Sequence, residues 1–237
     1  MKAIVLAAGR GQRMRPLSDA TPKPLLVVQG KPLIVWHLEA LARGGVREVV
    51  VNTAWLEEQI VASLGDGSRY GVAISYSMEG RDHGGALETA GGIAKALPLL
   101  GDAFWVVSAD VFTPEFRFSS RRAQAFVASG RLGRLWLVPN PSFHPAGDFG
   151  LGADGLGLAE GTGPDGQRWT YANIALLRAE MFAAIPAGTH APLAPVLYAG
   201  MRERRIAAEI YRGRWANVGT PEQLAALNAA PIPPAAK

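Results

Sequence analysis

The stretch Leu6–Pro16, "LAAGRGQRMRP", follows directly on the apolar run "KAIV" (Lys2–Val5) and holds two glycines, three arginines and no carboxylate. A strand that empties into a flexible, positively charged loop is the usual opening of an α/β fold. In such sheets ligands bind outside the carboxyl ends of the strands, where this loop starts. Gly9 and Gly11 allow positive φ and a close approach of backbone N–H groups to an anion. Arg10, Arg13 and Arg15 add forked donors suited to phosphate. The spacing excludes two familiar phosphate binders. A G-x-G-x-x-G dinucleotide fingerprint needs a third glycine where this chain has Met14, and the Gly-Lys-Ser/Thr of a P-loop is missing. Taken alone, the stretch is equally a Gly-rich surface turn with solvated arginines.

Outward from the loop, strand and helix patterns alternate. Strands are predicted at Ala3–Ala7, Glu48–Asn52, Val72–Ser77, Phe104–Asp110, Leu132–Pro139 and Trp169–Arg178. Helices are predicted at Lys31–Ala42, with Gly44–Gly45 as its stop, at Trp55–Gly67 and at Leu87–Leu100. Ile206–Thr220 reads as two short strands around Arg212–Gly213, and Pro221–Ala230 as a helix with proline in its first turn. This alternation predicts a Rossmann-like α/β fold, a mixed but mostly parallel sheet with helices on both faces. One domain is expected over residues 1–228, followed by a frayed Pro/Ala-rich tail, 229–237.

Composition removes several function classes. The chain of 237 residues has no cysteine, which excludes disulfides, zinc–thiolate sites and thiol catalysis. The apolar N-terminus is too short for a signal peptide, and no apolar run approaches the roughly 20 residues of a membrane span. A soluble, cytoplasmic protein without a membrane partner is expected. The net charge is +4, but the basic residues are scattered rather than gathered into a stripe, so no nucleic-acid partner is expected. No protein partner can be identified.

Three further features bear on chemistry. In "TPKPLL" (Thr21–Leu26), Lys23 stands between two prolines, which stiffen its backbone and bar a helix through it. A lysine held that way is either a fixed cation or part of a plain turn. Asp110 ends the most apolar strand, as a cap or as a metal ligand; Mg²⁺ typically takes one or two carboxylates, with substrate phosphates and waters completing its shell. The four histidines, His37 on a helix, His83 in a loop, His144 and His190, show no ligand spacing and read as structural. No G-x-S-x-G elbow is present, which argues against a covalent intermediate.

In combination these residues resemble a known family. "LAAGRGQRM", "PKP" (Pro22–Pro24), "LETAGGI" (Leu87–Ile93), "SAD" (Ser108–Asp110) and "RWANVGTPEQL" (Arg214–Leu224) are similar, in order, to the motifs of the nucleotidyltransferases that make nucleotide sugars. Within that family, "NTAWLEEQI" (Asn52–Ile60), "LGDGSRYG" (Leu64–Gly71), "KALPLLGDAF" (Lys95–Phe104) and "GDFGL" (Gly147–Leu151) resemble the branch that uridylylates N-acetylmuramate 1-phosphate in cell-wall recycling. The resemblance implies that a sugar-1-phosphate oxygen attacks the α-phosphorus of UTP in line and that pyrophosphate leaves, with Mg²⁺ as cofactor. It implies Arg13, Lys23 and Asp110 as catalytic residues. The nucleotide would lie on Leu6, Ala7, Ala8, Gly9, Gly11, Gln12, Arg13, Lys23, Thr89, Gly91 and Glu79. The sugar would meet Ser108, Asp148 and Asn173, and the metal Asp110 and Asn217.

Three departures from the family pattern stand out, one being "RDHGGA" (Arg81–Ala86), which lengthens the loop before "LETAGGI". Asn217 replaces the aspartate of W-x-D-V-G-T, leaving the metal site one negative charge short, and Glu88 replaces the glycine of L-G-T, as in the branch that this chain resembles. Rival readings are a guanylyl- or thymidylyltransferase for a hexose 1-phosphate, and a catalytically weak nucleotide-sugar sensor.

Overall fold

The computed structural model describes residues 1–230. In chain order the elements are β1 (Lys2–Leu6), α1 (Leu17–Ala20), β2 (Val27–Val28), β3 (Lys31–Pro32), α2 (Leu33–Arg43), β4 (Glu48–Thr53), α3 (Glu57–Leu64), β5 (Ala73–Met78), α4 (Glu79–His83) and α5 (Glu88–Ala96). There follow β6 (Ala103–Ser108), β7 (Val111–Phe112), α6 (Ser120–Ala128), β8 (Gly133–Val138), β9 (Phe149–Leu151), β10 (Gly157–Leu158), β11 (Arg168–Arg178), α7 (Leu193–Arg202), β12 (Ile206–Ile210), β13 (Ala216–Asn217) and α8 (Pro221–Ala229).

β1 shows why the sheet is covered on both sides. Its residues alternate, with Ala3 and Val5 buried toward α2, α3 and α6 and Ile4 buried toward α5 and α7. The main sheet has nine strands in the order β10-β9-β11-β6-β1-β4-β5, with β8 joined to β11 and β12 to β8. β1 pairs in parallel with β4 and β6, and β4 with β5. Of the nine strands, all but β10 and β11 run the same way. This is the mixed, mostly parallel, helix-covered sheet that the alternation predicts. Stacking of Trp105 on Trp136, with ring centroids 5.1 Å apart, fills the core between β6 and β8.

The largest irregularity falls in β11. Its register against β8 shifts between Tyr171 and Ala175, and Asn173 adopts φ 58° there. One half of the strand therefore pairs with β6 and the other with β9.

Several predicted boundaries move for local reasons. Lys31–Pro32 pairs with Val27–Val28 through a tight turn at Gln29 (φ 53°) and Gly30 (φ 85°), so helix begins only at Leu33. Leu56 at φ 48° delays α3 to Glu57. α5 ends at Ala96 and passes into a 3₁₀ turn at Leu97–Leu99, because Pro98 has no N–H to continue the α-helical ladder. β6 stops at Ser108, which leaves Asp110 in the turn to β7. The two strands after Ile206 form no hairpin, since β12 pairs with β8 and β13 with β7. His83 closes α4 rather than lying in a loop. A 3₁₀ turn starts at Lys23 itself, with Pro22 before it in extended geometry. In the tail, Ala229 still belongs to α8, and positions 231–237 lie outside the described residues.

Candidate active site

A cleft of ≈ 520 Å³ opens at the carboxyl ends of β1, β4 and β6. It is lined by Leu6, Ala7, Ala8, Gly9, Gly11, Gln12, Arg13, Lys23, Thr89, Ser108 and Asp110, all singled out in the sequence. An adjoining cavity of ≈ 430 Å³ shares Leu6, Arg13, Thr89 and Ser108 and adds Asp148, Asn173 and Asn217. Glu79 and Gly91 line neither. A β-carbon on Gly91 would lie 2.1 Å from the Thr189 carbonyl oxygen, so this glycine serves close packing behind the wall.

The loop after β1 is shaped by Gly11, at φ 66°, while Gly9 does not use the left-handed region. Gly11 packs against the Lys23 stem, to which an added β-carbon would come within 3.2 Å. The three arginines separate. Arg10 and Arg15 both reach Asp19, at 3.7 and 3.1 Å, and Arg10 also stacks on Trp55. Arg13 makes no ion pair or hydrogen bond among the described residues and places its guanidinium beside Gly219. Of the three arginines suited to phosphate, Arg10 and Arg15 pair with Asp19, and Arg13 is left to meet an anion.

Lys23 is buried, and its Nζ donates to Asp110 Oδ2 at 2.8 Å. The turn carrying Asp110 is fixed from two sides. Val218 N–H donates to the Asp110 carbonyl at 2.9 Å, and Val111 lies opposite Asn217 in the β7–β13 ladder. Beneath it, His37 Nε2 bonds the Val111 carbonyl at 2.7 Å. Burial lowers the His37 imidazole to about 4, outweighing the Val111 hydrogen bond and the Asp110 charge, so the ring is neutral at neutral pH.

The ladder brings Asp110, on the cleft, next to Asn217, on the adjoining cavity. Asn217 Oδ1 is buried without a hydrogen-bond partner, an expense that a ligand would relieve. One carboxylate and one amide oxygen form a hard donor set that fits a divalent cation whose remaining ligands come from phosphate and water. No cluster of three His, Cys, Asp or Glu residues offers another metal site among the described residues.

Glu79 acts from behind the wall. It is fully buried and accepts from Asn52 Nδ2 and from Leu87 N–H, each at 2.7 Å. Asn52 Oδ1 in turn accepts from Ala7 N–H at 2.8 Å. The pair thereby ties the Ala7 edge of the cleft to its Leu87 edge. Burial pushes the Glu79 carboxyl up, against its two hydrogen bonds and the charges of Lys95 and His83. Only glycine fits at position 92, where a β-carbon would lie 2.4 Å from Glu79 Oε1. Glu79, expected against a nucleotide, is fully buried and bonded to Asn52, which itself lines the cleft.

On the second cavity, Asp148 accepts from Tyr171 N–H at 2.8 Å and lies 3.0 Å from His144 Nε2. His144 is thus a wall residue rather than only structural. Trp215 Nε1 donates to the Ala172 carbonyl at 3.0 Å and ties the Asn217 strand to the bulge in β11. Burial, with Asp148 nearby, raises the Tyr171 phenol.

Sequence reasoning missed Asn52, Ala86, Glu88 and Gly219 in the first wall and Thr170 and Tyr171 in the second. Asn52 carried a usable signal, as a polar residue closing the apolar run "EVVV", the same signal that marked Asp110.

Comparison with known proteins gives the family. The nucleotidyl transferase family model matches residues 2–150. The N-acetylmuramate alpha-1-phosphate uridylyltransferase of Neisseria meningitidis serogroup B is 50% identical over 226 residues, 93% of this chain and 94% of that protein. The enzyme of the same name from Caulobacter vibrioides is 31% identical over 233 residues, 96% of this chain and 95% of that protein. In fold, a Bacillus anthracis crystal structure described as a glucose-1-phosphate thymidylyltransferase superimposes with a TM-score of 0.80 at 18% identity, covering 97% of this chain and 94% of the other. No helix among the described residues is long and apolar enough to cross a membrane. With a family model over most of its length and a full-length relative at half identity, the chain belongs to the nucleotidyl transferase family.

Proposed function

We propose that this enzyme transfers a uridylyl group from UTP to N-acetylmuramate 1-phosphate, giving the UDP-sugar and pyrophosphate, in cell-wall recycling. The observation that carries the reading is the 50% identity over 93% of the chain to the Neisseria enzyme of that activity. The cleft chemistry is consistent with it. A sugar-phosphate oxygen attacks the α-phosphorus, the bond to the β-phosphate oxygen breaks, and pyrophosphate departs opposite. With no covalent intermediate, catalysis is positioning and neutralisation of charge.

Residues 1–228 act in this reading as one domain. The backbone of Leu6–Gly9, with Thr89 beside it, receives the nucleoside. Gly11, Gln12 and Arg13 receive the triphosphate, and the unpaired Arg13 neutralises the departing pyrophosphate. Lys23 bridges phosphate oxygens at the reacting centre. Ser108, Asp148 and Asn173 orient the sugar, while Glu79 and Gly91 position the nucleotide walls from behind. Asp110 and Asn217 would hold Mg²⁺, which when bound supplies positive charge to the phosphate oxygens. The substrates place the reaction in the cytoplasm, and it needs no protein partner, nucleic acid or membrane.

Pyrophosphate release measured for four nucleoside triphosphates against a panel of sugar 1-phosphates tests the proposal. The highest kcat/KM is expected for UTP with N-acetylmuramate 1-phosphate. A higher value for dTTP or GTP with a hexose 1-phosphate replaces it with the thymidylyl or guanylyl reading.

A further inference from the structure

Glu88 has a backbone that its side chain does not favour. It opens α5 at φ 60°, in the left-handed region where a β-carbon is crowded and glycine is at ease. Strain of this kind persists where the residue has a use. Local stability supplies little of one. An exposed acid in a first turn gains only a small helix-dipole term, and Glu88 makes no hydrogen bond or ion pair among the described residues. The residue instead lines the cleft beside Ala86 and Thr89.

The part of the cleft where Glu88 sits is identifiable. Leu6, Arg13, Thr89 and Ser108 also line the adjoining cavity; Ala8, Gly9, Asn52, Ala86 and Glu88 do not. Leu6 is flanked by Asn52 of β4 on one side and by Ser108 of β6 on the other, and the hydrogen bonds joining Ala7, Asn52, Glu79 and Leu87 hold the start of α5, with Glu88, on the β4 side, whereas Asp110 follows β6. A carboxylate on the β4 side repels phosphate and suits the uncharged nucleoside. The other carboxylate on this side is already committed, since Glu79 is buried and accepts from Asn52 and Leu87. Glu88 is left as the free carboxylate acceptor.

We propose that the Glu88 carboxylate accepts a hydrogen bond from the ring N–H of the nucleobase and is a specificity-determining residue of this enzyme. Uracil presents that donor at N3, as does thymine, and guanine presents one at N1. Cytosine and adenine carry a bare ring nitrogen at the corresponding place, which sets lone pair against carboxylate. A site built around such a donor rejects analogues lacking it far more strongly than a merely apolar pocket does. The inference rests on the reading of the cleft as a nucleotide site and is independent of the identity of the sugar.

The test is kcat/KM for UTP, CTP and dUTP in the parent, Glu88→Gln and Glu88→Gly. Glycine relieves the backbone, so Glu88→Gly should melt at or above the parent while its UTP-over-CTP preference falls by about tenfold or more, mainly through UTP. In Glu88→Gln the amide can donate to cytosine N3, and the preference should fall through a rise with CTP. The UTP-to-dUTP ratio should stay put. A UTP-to-CTP preference unchanged in both variants overturns the proposal, and so does a change confined to the dUTP ratio, which would put Glu88 on the ribose. If the parent prefers dTTP or GTP, the uridylyl reading fails, and Glu88 is tested on the same variants with dTTP against CTP or GTP against ATP. Loss of discrimination there still supports it, and unchanged discrimination still overturns it.

Discussion

Lys23 Nζ and Asp110 Oδ2 stand 2.8 Å apart, an ion pair between a buried lysine and a half-exposed carboxylate across the floor of the cleft. Each partner holds the other where the proposed reaction needs a cation and an anion side by side. In the proposed reaction substrate phosphates and a metal ion would compete for the same two groups, so binding would loosen this pair and transfer each charge to a new partner. Lys23→Ala should lower kcat/KM by about a hundredfold, ~3 kcal/mol, as for other lost transition-state donors. Steady-state kinetics decide it, and a value within about threefold of the parent would reduce Lys23 to a turn residue.

Asn217 should make metal binding depend on nucleotide. A neutral amide offers a dipole where a carboxylate offers a charge, so the ion draws more of its hold from triphosphate oxygens. Calorimetric titration with Mn²⁺ should give weak binding to the parent alone and firm binding with UTP. Asn217→Asp should strengthen binding without nucleotide, and Asn217→Ala should lose most activity. Normal turnover of Asn217→Ala at low Mg²⁺ would remove the residue from the metal site.

The buried Glu79 should leave a signature in the pH dependence of stability. Its folded-state pKa is raised, so the folded protein holds this proton more tightly than the unfolded chain does. Its contribution is greatest below the ordinary carboxylate range and is lost as pH rises through the raised value. In Glu79→Gln that slope disappears. The amide also cannot accept from Leu87 N–H and Asn52 Nδ2 together, which should cost about 1–3 kcal/mol. Thermal melts of both proteins from acidic to neutral pH should show the parent's advantage shrinking upward, and a constant difference would refute the titration.

Asp148 should separate the two substrates kinetically. Asp148→Ala is expected to raise KM for the sugar phosphate about tenfold with KM for UTP unchanged. Asp148→Asn keeps an acceptor for Tyr171 N–H and isolates the role of the charge. Equal changes in both KM values would mean that the residue supports the fold rather than the acceptor.

The strand-end rule explains what could be read in advance. Apolar runs that finish on a polar residue, such as "VVS" before Ala109–Asp110, mark the edge of the sheet where a ligand sits, and glycines mark the turns between. The Glu79–Asn52–Ala7 chain could not be read, because it joins residues 27 and 45 positions apart and depends on how β4, β5 and α5 pack. The fate of Arg10 and Arg15 was hidden for a similar reason. Asp19 lies only nine and four positions away in "SDATPKP", but the turn that swings it toward both arginines is set by tertiary structure. Around Asn173 the pattern "WTYANIALLR" gives a strand, while the shift within it shows only in the pairing with β8, where Ala172–Ile174 stand opposite Trp136 alone.

That shift in β11 gives the molecule slack. A continuous ladder would force any one-residue insertion near Thr170 through to Leu176 and turn every side chain along the way to the opposite face. The extra length at Asn173 absorbs such a change before it reaches the residues paired with Val107. Loops on the acceptor side can therefore change in length and shape, as adaptation to another sugar would require, while the strand that leads to Asp110 keeps its register.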